Sequence, residues 1–395
     1  MSGQDRWLLP EGIEEVLPEQ AERLEFYRRR LLDLYHSWGY ELVIPPLIEY
    51  LESLLTGTSH DLDLQTFKLT DQLNGRLMGL RADMTPQVAR IDAHVLQREA
   101  PVRLCYLGTV LRTRTDGVGG SRSPMQVGAE LFGHAGLDSE VEVIRLMLQT
   151  LRALGIEDIH LDLGHVGVFS GLAAQAGLDT EQEYTLFEML QRKAVPDIEA
   201  YLQTLDLARD MRGMLLALAG LHGDEEVLSQ ARAQLGRGAP EVAATLDDVQ
   251  RLVGCLRDYE PDLALHFDLA ELRGYHYHTG IVFAAYVPGQ GQEVARGGRY
   301  DHIGRVFGRA RPATGFSTDL KLLCALSSHR AVPVRGRIFV AAGDVGAARA
   351  RIEALRAQGE RLVCALAGQS AGAREMGCER ALVKEANHWI IKDLQ

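Results

Sequence analysis

Several features that would place this chain in a special class are missing. The five cysteines, Cys105, Cys255, Cys324, Cys364 and Cys378, are scattered, odd in number and nowhere spaced C-x-x-C, which argues against a disulfide scaffold or a zinc motif. No apolar run approaches the ~20 residues of a membrane span; stretches such as 214–219 fall far short of it. The basic excess on which phosphate binding draws is absent too. Asp and Glu number 54 against 42 Lys and Arg, a formal net charge of −12, and this argues against a nucleic-acid surface. The first twenty residues carry acidic side chains and no apolar core, so no secretory leader is expected and the cytoplasm is the expected compartment. Internal repeats and low-complexity tracts are lacking as well.

What is present is an ordinary globular balance: 46% hydrophobic and 24% charged residues in a chain of 395. That is enough for two or three domains around a large core. Pro18 opens a helix in which Leu24, Tyr27, Leu31, Leu34, Tyr35 and Trp38 fall near helical spacing, and Gly39 stops it. Residues 40–44 alternate as a strand, and 66–80 read as two strands around the Asn74-Gly75 turn. Thr85-Pro86 is expected to cap a helix running to about Gln97, and Asp138 another to about Leu154. Strands are expected at 102–107, 126–132, 265–269, 281–287 and 293–295, and residues 166–258 read as helical with no strand pattern. This is an α+β pattern, an antiparallel sheet with helices on it and a helical insert. The expected domains are a core over 1–326, a polar linker over 327–335, and a short C-terminal α/β domain over 336–395. In that last domain a β-α-β unit is followed by a shorter repetition of itself.

Five segments carry a more specific message. They are Gly39-Tyr40-Glu41 through Glu49; Leu80-Arg81-Ala82-Asp83-Met84-Thr85; Tyr106 through Arg112 with Gln126 through Gly133; Leu272-Arg273-Gly274-Tyr275-His276-Tyr277-His278-Thr279-Gly280; and Gly297-Gly298-Arg299-Tyr300-Asp301 followed by Gly315-Phe316. Each is weak alone. In this order, over about residues 10–325, they resemble the class II aminoacyl-tRNA synthetases, and within them the histidine-tRNA ligases.

The resemblance implies a histidine pocket. A buried histidine needs partners for its ammonium, carboxylate and imidazole. Asp83 would meet the ammonium, with the Thr85 hydroxyl and the Gln126 amide as further acceptors. Glu130, on the strand face of Gln126 by its even spacing, would accept from an imidazole N–H. Arg112 and Arg273 would face the carboxylate, where a guanidinium fork fits. Tyr277 and His278 would line the ring pocket, His278 standing where the family has tyrosine and Asp83 where it has glutamate. Taken singly, Asp83 is a helix-entry residue, Gln126 and Glu130 are a polar strand face, and His276 with His278 lack the third ligand of a metal site. No metal or cofactor is expected.

The adenylating half of the ligase pattern is broken. Arg112 keeps the first cation of the second motif, but Arg114 stands in the place of its glutamate, and Gly120 in that of the loop arginine, with Arg122 nearby. The third motif, a glutamate-arginine pair in the ligases, reads Asp319-Leu320-Lys321-Leu322. Loss of one cation at a reacting phosphate costs ~3 kcal/mol of transition-state stabilisation, so activation of histidine is not expected. The C-terminal segment is also shorter than an anticodon-binding domain and carries no basic face. A chain of this description resembles the regulatory-subunit family of ATP phosphoribosyltransferase. That resemblance implies a short-form catalytic subunit as partner, L-histidine as feedback effector, and a homodimer core within a hetero-oligomer. A divergent ligase or other amino-acid adenylating enzyme, and a tRNA-binding protein without catalysis, are the alternatives.

Overall fold

A computed structural model describes residues 7–56, 60–115, 120–270, 277–328 and 336–394. The chain divides into two compact units, Met1–Ser328 and His329–Gln395. In the first, α1 (Pro18–Ser37) buries the stripe Leu24, Tyr27, Leu31 and Tyr35, and ends where Gly39 takes φ +80°. β1 (Glu41–Leu42), β2 (Ile48–Tyr50), α2 (Leu51–Leu55) and α3 (His60–Gln65) follow, then a hairpin of β3 (Lys68–Thr70) and β4 (Leu77–Leu80). β4 also pairs with β2, giving a small sheet in the order β2-β4-β3. Next come α4 (Thr85–Arg90), a π-helical turn over Ile91–Leu96, β5 (Val102–Thr109), β6 (Met125–Phe132), α5 (Asp138–Ala153) and β7 (His160–His165).

The insert comprises α6 (Val166–Ala176), α7 (Thr180–Gln191), α8 (Val195–Thr204), α9 (Arg209–Ala217), β8 (His222–Gly223), α10 (Glu226–Gln234) and α11 (Pro240–Tyr259). After it, β9 (Ala264–Asp268), β10 (Ile281–Tyr286), β11 (Ala295–Arg299), β12 (Ala313–Asp319) and α12 (Leu320–Leu326) complete the unit. Among the described residues the main sheet has nine strands in the order β1-β5-β6-β12-β11-β10-β7-β9-β8. Along β6, Val127, Ala129 and Leu131 point into the large core shared with α1 and α5, so Gln126, Gly128 and Glu130 face the opposite side.

The sheet is mixed rather than purely antiparallel. β1 runs parallel to β5, and β7 parallel to β9; residues 43–101 form the crossover of the first pair and the helical insert that of the second. Four strands of the first unit escape the sequence pattern: β2, three residues long; β7, with only Leu161 and Leu163 apolar on one face; β8, two residues long inside the insert; and β12, rich in Thr, Gly and Ser. The third expected strand after the insert, 293–295, lies instead over Ala295–Arg299. Thr85 and Asp138 are the first residues of their helices, not their caps; Met84 and Leu137 hold the cap positions without side-chain bonds. Ser327, assigned from sequence to the linker, is buried in the first unit, where its hydroxyl meets Tyr27 at 3.0 Å and the carbonyl of Leu154 at 2.6 Å.

The second unit contains β13 (Arg337–Val340), α13 (Arg349–Ala357), β14 (Leu362–Cys364), β15 (Cys378–Glu385) and β16 (His388–Asp393), in the sheet order β14-β13-β15-β16. The expected repetition of β-α-β is not there. β15 and β16 form an antiparallel hairpin whose two turn residues, Ala386 and Asn387, both take positive φ (44° and 69°), as a tight two-residue hairpin turn demands.

One buried ion pair fastens the helix that borders the site. Arg311 Nη1 lies 3.0 Å from Asp92 Oδ1 in the π-helical turn, and the same guanidinium donates to the carbonyls of Arg98, Glu99 and Ala100. A Cβ at Gly133 (φ +88°) would fall 1.9 Å from Arg311 Nη2, so both backbone angle and space require glycine there. Arg311→Met is expected to cost about 3–5 kcal/mol, because it strands a buried carboxylate. Urea denaturation checks this, and a loss below ~1 kcal/mol would mean that Asp92 does not depend on its partner.

Candidate functional site

The even-numbered face of β6 carries Glu130 into the middle of the sheet, 1% exposed. Its carboxyl accepts from Tyr106 Oη at 2.8 Å and Thr85 Oγ1 at 3.1 Å on Oε1, and from Tyr300 Oη on Oε2. Burial disfavours the charged form strongly enough to push this carboxyl up to about 8, even though the three hydroxyls pull the other way. The floor beneath it has to be glycine. A Cβ at Gly315 would lie 1.5 Å from Glu130 Oε2, and one at Gly128 would lie 2.5 Å from the Tyr106 hydroxyl.

Asp83 enters from the other side, in the turn ahead of α4. Its Oδ1 accepts the Thr85 N–H at 2.9 Å and the Gln126 amide at 2.8 Å. Both bonds fall on one oxygen, which leaves Oδ2 for a ligand cation. Gln126 itself, 4% exposed, spends its other end on the Met84 N–H at 2.9 Å. It therefore stands behind Asp83 and positions it, rather than offering an acceptor to the cavity.

These groups open on a cavity of about 370 Å³ lined by Asp83, Thr85, Arg112, Glu130, Tyr277 and His278, together with Tyr300. Arg112 reaches it while its Nε donates to the Ala82 carbonyl at 3.3 Å. The Tyr277 ring stacks on Tyr300 at 5.0 Å and meets His278 edge-on at 5.3 Å, and its buried hydroxyl has no hydrogen-bond partner among the described residues. His278 precedes β10 rather than sitting on a strand, with Nδ1 3.3 Å from the Arg299 carbonyl. Of the sequence-derived set, Arg273 lies outside the described residues, as does His276. Tyr106 and Tyr300 were missed, as were the charged lining residues Asp162, Glu293 and Arg296. Strand pairing could have pointed to the first: Tyr106 lies opposite Gly128, two residues from Glu130. Among the described residues no group of three His, Cys, Asp or Glu is placed to hold a metal.

The histidyl-tRNA synthetase family model matches residues 12–323, and the model for the C-terminal domain of ATP phosphoribosyltransferase subunit HisZ matches residues 335–392. The ATP phosphoribosyltransferase regulatory subunit of Thioalkalivibrio sulfidiphilus is 62% identical over 395 residues, covering all of both chains. That of Nitrosococcus oceani is 54% identical over 99% of this chain and 98% of its own. The chain belongs to the family of ATP phosphoribosyltransferase regulatory subunits. A solved regulatory subunit/histidyl-tRNA synthetase from Bacillus halodurans C is 28% identical with a TM-score of 0.83, covering 93% of this chain and 95% of that one. Histidyl-tRNA synthetase from Nostoc sp. PCC 7120, at 18% identity, TM-score 0.78 and coverage of 98% and 95%, shows the shared fold.

Members of this family are non-catalytic regulatory subunits in histidine biosynthesis, and this one is no exception. Its structure shows what became of the nucleotide side. Lys321, in the first turn of α12, lies 3.4 Å from both Glu14 Oε1 and Ser123 Oγ. Leu322 packs against the main core. The Arg122 guanidinium donates to the carbonyls of Arg112 and Glu11, each at 3.0 Å, while Arg114 is exposed. Cations that would grip a phosphate are committed to the chain's own backbone and acids. The purified chain is accordingly expected to show no histidine-dependent exchange of pyrophosphate into ATP, and exchange above background would refute this assignment of Lys321 and Arg122.

Proposed function

We propose that the cavity around Glu130 is an effector site for L-histidine, and that through it the subunit both supports a short-form catalytic subunit and passes on feedback inhibition. The observation that carries this reading is the meeting, in one cavity, of a carboxylate for an ammonium (Asp83), a guanidinium for a carboxylate (Arg112) and a buried acceptor for a ring N–H (Glu130). Histidine then binds one conformation of the assembly better than the other, and activity shifts by that difference. A fifty-fold shift needs ~2.3 kcal/mol of coupling. The assembly has a homodimer core. The first of the five segments, Gly39 through Glu49, carries Leu42, Ile44 and Leu47 exposed at and just after the edge strand β1, which suits burial against a second copy. No helix among the described residues is long and apolar enough to cross a membrane, which fits the cytoplasmic placement expected from sequence.

Calorimetry with L-histidine tests the site. Asp83→Ala is expected to weaken binding at least about tenfold, since it removes a charge-assisted hydrogen bond to a buried ammonium. Saturating histidine is expected to slow the wild-type complex and leave the Asp83→Ala complex active. An unchanged rate in the wild-type complex would sink the reading.

The pH dependence has a defined sign. With its pKa raised to about 8, Glu130 keeps its proton in the empty cavity at neutral pH. In the complex the Glu130–imidazole pair shares that one proton. Above pH 8 the empty site has lost the proton and binding must take one up, so affinity falls as pH rises. Between pH 8 and 9 the drop is expected to be at least about fivefold. A rise in affinity over that interval would show that the bound pair holds no proton.

A further inference from the structure

We propose that the cavity is coupled to self-association: the segment joining β1 to β2 carries the presence of a second copy to the effector site, and Arg81 is the positioning residue that transmits it. The inference rests on the histidine-site and homodimer readings above. Residues 42–48 read Leu-Val-Ile-Pro-Pro-Leu-Ile, with no charged or hydrogen-bonding side chain. Ile44 is 80% exposed, and Leu47 and Ile48 are exposed near it, at the end of the main sheet where β1 is the outermost strand. A two-fold contact sets a patch against its own copy, so the patch has to be self-complementary. An uncharged apolar segment meets that condition without like charges facing each other.

The other side of the segment is polar and already engaged. The Pro45 carbonyl accepts from Arg81 Nη1 at 2.6 Å, and the Leu47 carbonyl accepts the Arg81 N–H at 3.0 Å. The Gln87 amide donates to the Pro46 carbonyl at 2.9 Å and to the Glu49 carboxyl at 2.8 Å. Gln87 belongs to α4, the helix whose first residue, Thr85, bonds Glu130. The segment thus turns its apolar side chains to solvent and its carbonyls to the elements that build the cavity.

Arg81 then reaches the other wall. Its Nε donates to the Thr109 carbonyl at 3.0 Å, and its own carbonyl accepts the Leu111 N–H at 3.0 Å. Leu111 is followed by Arg112, and Arg81 by Ala82 and Asp83. One buried residue therefore holds the backbone beside both charges that the histidine reading assigns to the ligand's ammonium and carboxylate. Its fit is close, since a Cβ at Gly108 would fall 2.5 Å from Arg81 Nη2. A buried guanidinium does not give up such bonds cheaply. A shift of the Pro45–Leu47 backbone accordingly has to move Arg81, and with it Asp83 and Arg112. A second copy seated on Ile44 fixes that backbone and favours the arrangement that binds histidine. By linkage, histidine favours the dimer by the same factor.

Ile44→Asp in the full chain tests this, because Ile44 lies outside the cavity lining. Sedimentation is expected to show a monomer, and calorimetry to show L-histidine bound at least about fivefold more weakly than by the wild-type dimer. A monomer with wild-type affinity would overturn the coupling and leave the histidine site standing. A variant that stays dimeric, or a wild type that is monomeric, would overturn it by taking the segment out of the interface. No histidine binding by the wild type would overturn the histidine reading as well. Arg81→Lys keeps the charge, but one ammonium cannot reproduce the fork across Pro45 and Thr109. It is expected to lose about threefold or more in affinity, and adding Ile44→Asp to it is expected to cost little further, because both act along one route. Fully additive losses would refute that route. Should Ile44→Asp fail to fold by circular dichroism, the wild-type dimer decides. The concentration at which it half-dissociates, brought into range with urea, is expected to fall at least about fivefold in saturating histidine, and an unchanged value overturns the inference.

Discussion

A carboxyl group buried at the centre of a sheet constrains everything around it. Glu130 cannot stand there charged without donors, and the three it has come from three different places: β5 (Tyr106), the entry to α4 (Thr85) and the end of β11 (Tyr300). Nor can it stand there without room, which Gly315 supplies from the neighbouring β12, while Gly128 on β6 itself leaves room for the Tyr106 hydroxyl. The register of β5, β6, β12 and β11 is thus tied to one side chain. A slip of one residue would turn Glu130 into the core and set Ala129 over the cavity. Fold and site are specified by the same contacts.

That coupling explains which parts of the fold were legible in the sequence and which were not. α1 shows through because its buried stripe, Leu24 to Tyr35, is continuous and nothing functional interrupts it. The Asn74-Gly75 hairpin shows through because its turn chemistry is local. β12 and most of β11 are hidden for the opposite reason. A strand beneath a cavity must be small-sided, and Gly297, Gly298, Gly315 and Ser317 read as loop to any rule based on β-branched or aromatic residues. The C-terminal hairpin is hidden by its turn, where Ala386-Asn387 stands in place of the usual Asn-Gly. Much of the site was legible through motif order, but its division of labour was not. Even spacing puts Gln126 and Glu130 on one face, yet only the structure shows that Gln126 is consumed by Asp83 and Met84.

The two halves of the ancestral ligase site have met different fates for a physical reason. Charged groups that face a bound phosphate become a liability when no phosphate arrives, since an unpaired, partly buried cation is costly. Here Lys321 has Glu14 and Ser123, and Arg122 has two backbone carbonyls. These contacts also tie the segment ahead of α1 to the loop after β5, so the old nucleotide side now serves as packing. The cavity around Glu130 keeps its polar groups open, including a Tyr277 hydroxyl with no hydrogen-bond partner among the described residues.

An effector site differs from an enzyme site in that it must be stable when empty as well as when filled. A ligase can leave a carboxylate strained in the apo form, because substrate is always being turned over through it. A sensor spends long periods without ligand, and an ionised Glu130 in an empty, apolar-backed cavity would weigh against the fold throughout. On the histidine-site reading, holding the group protonated while the cavity is empty removes that burden.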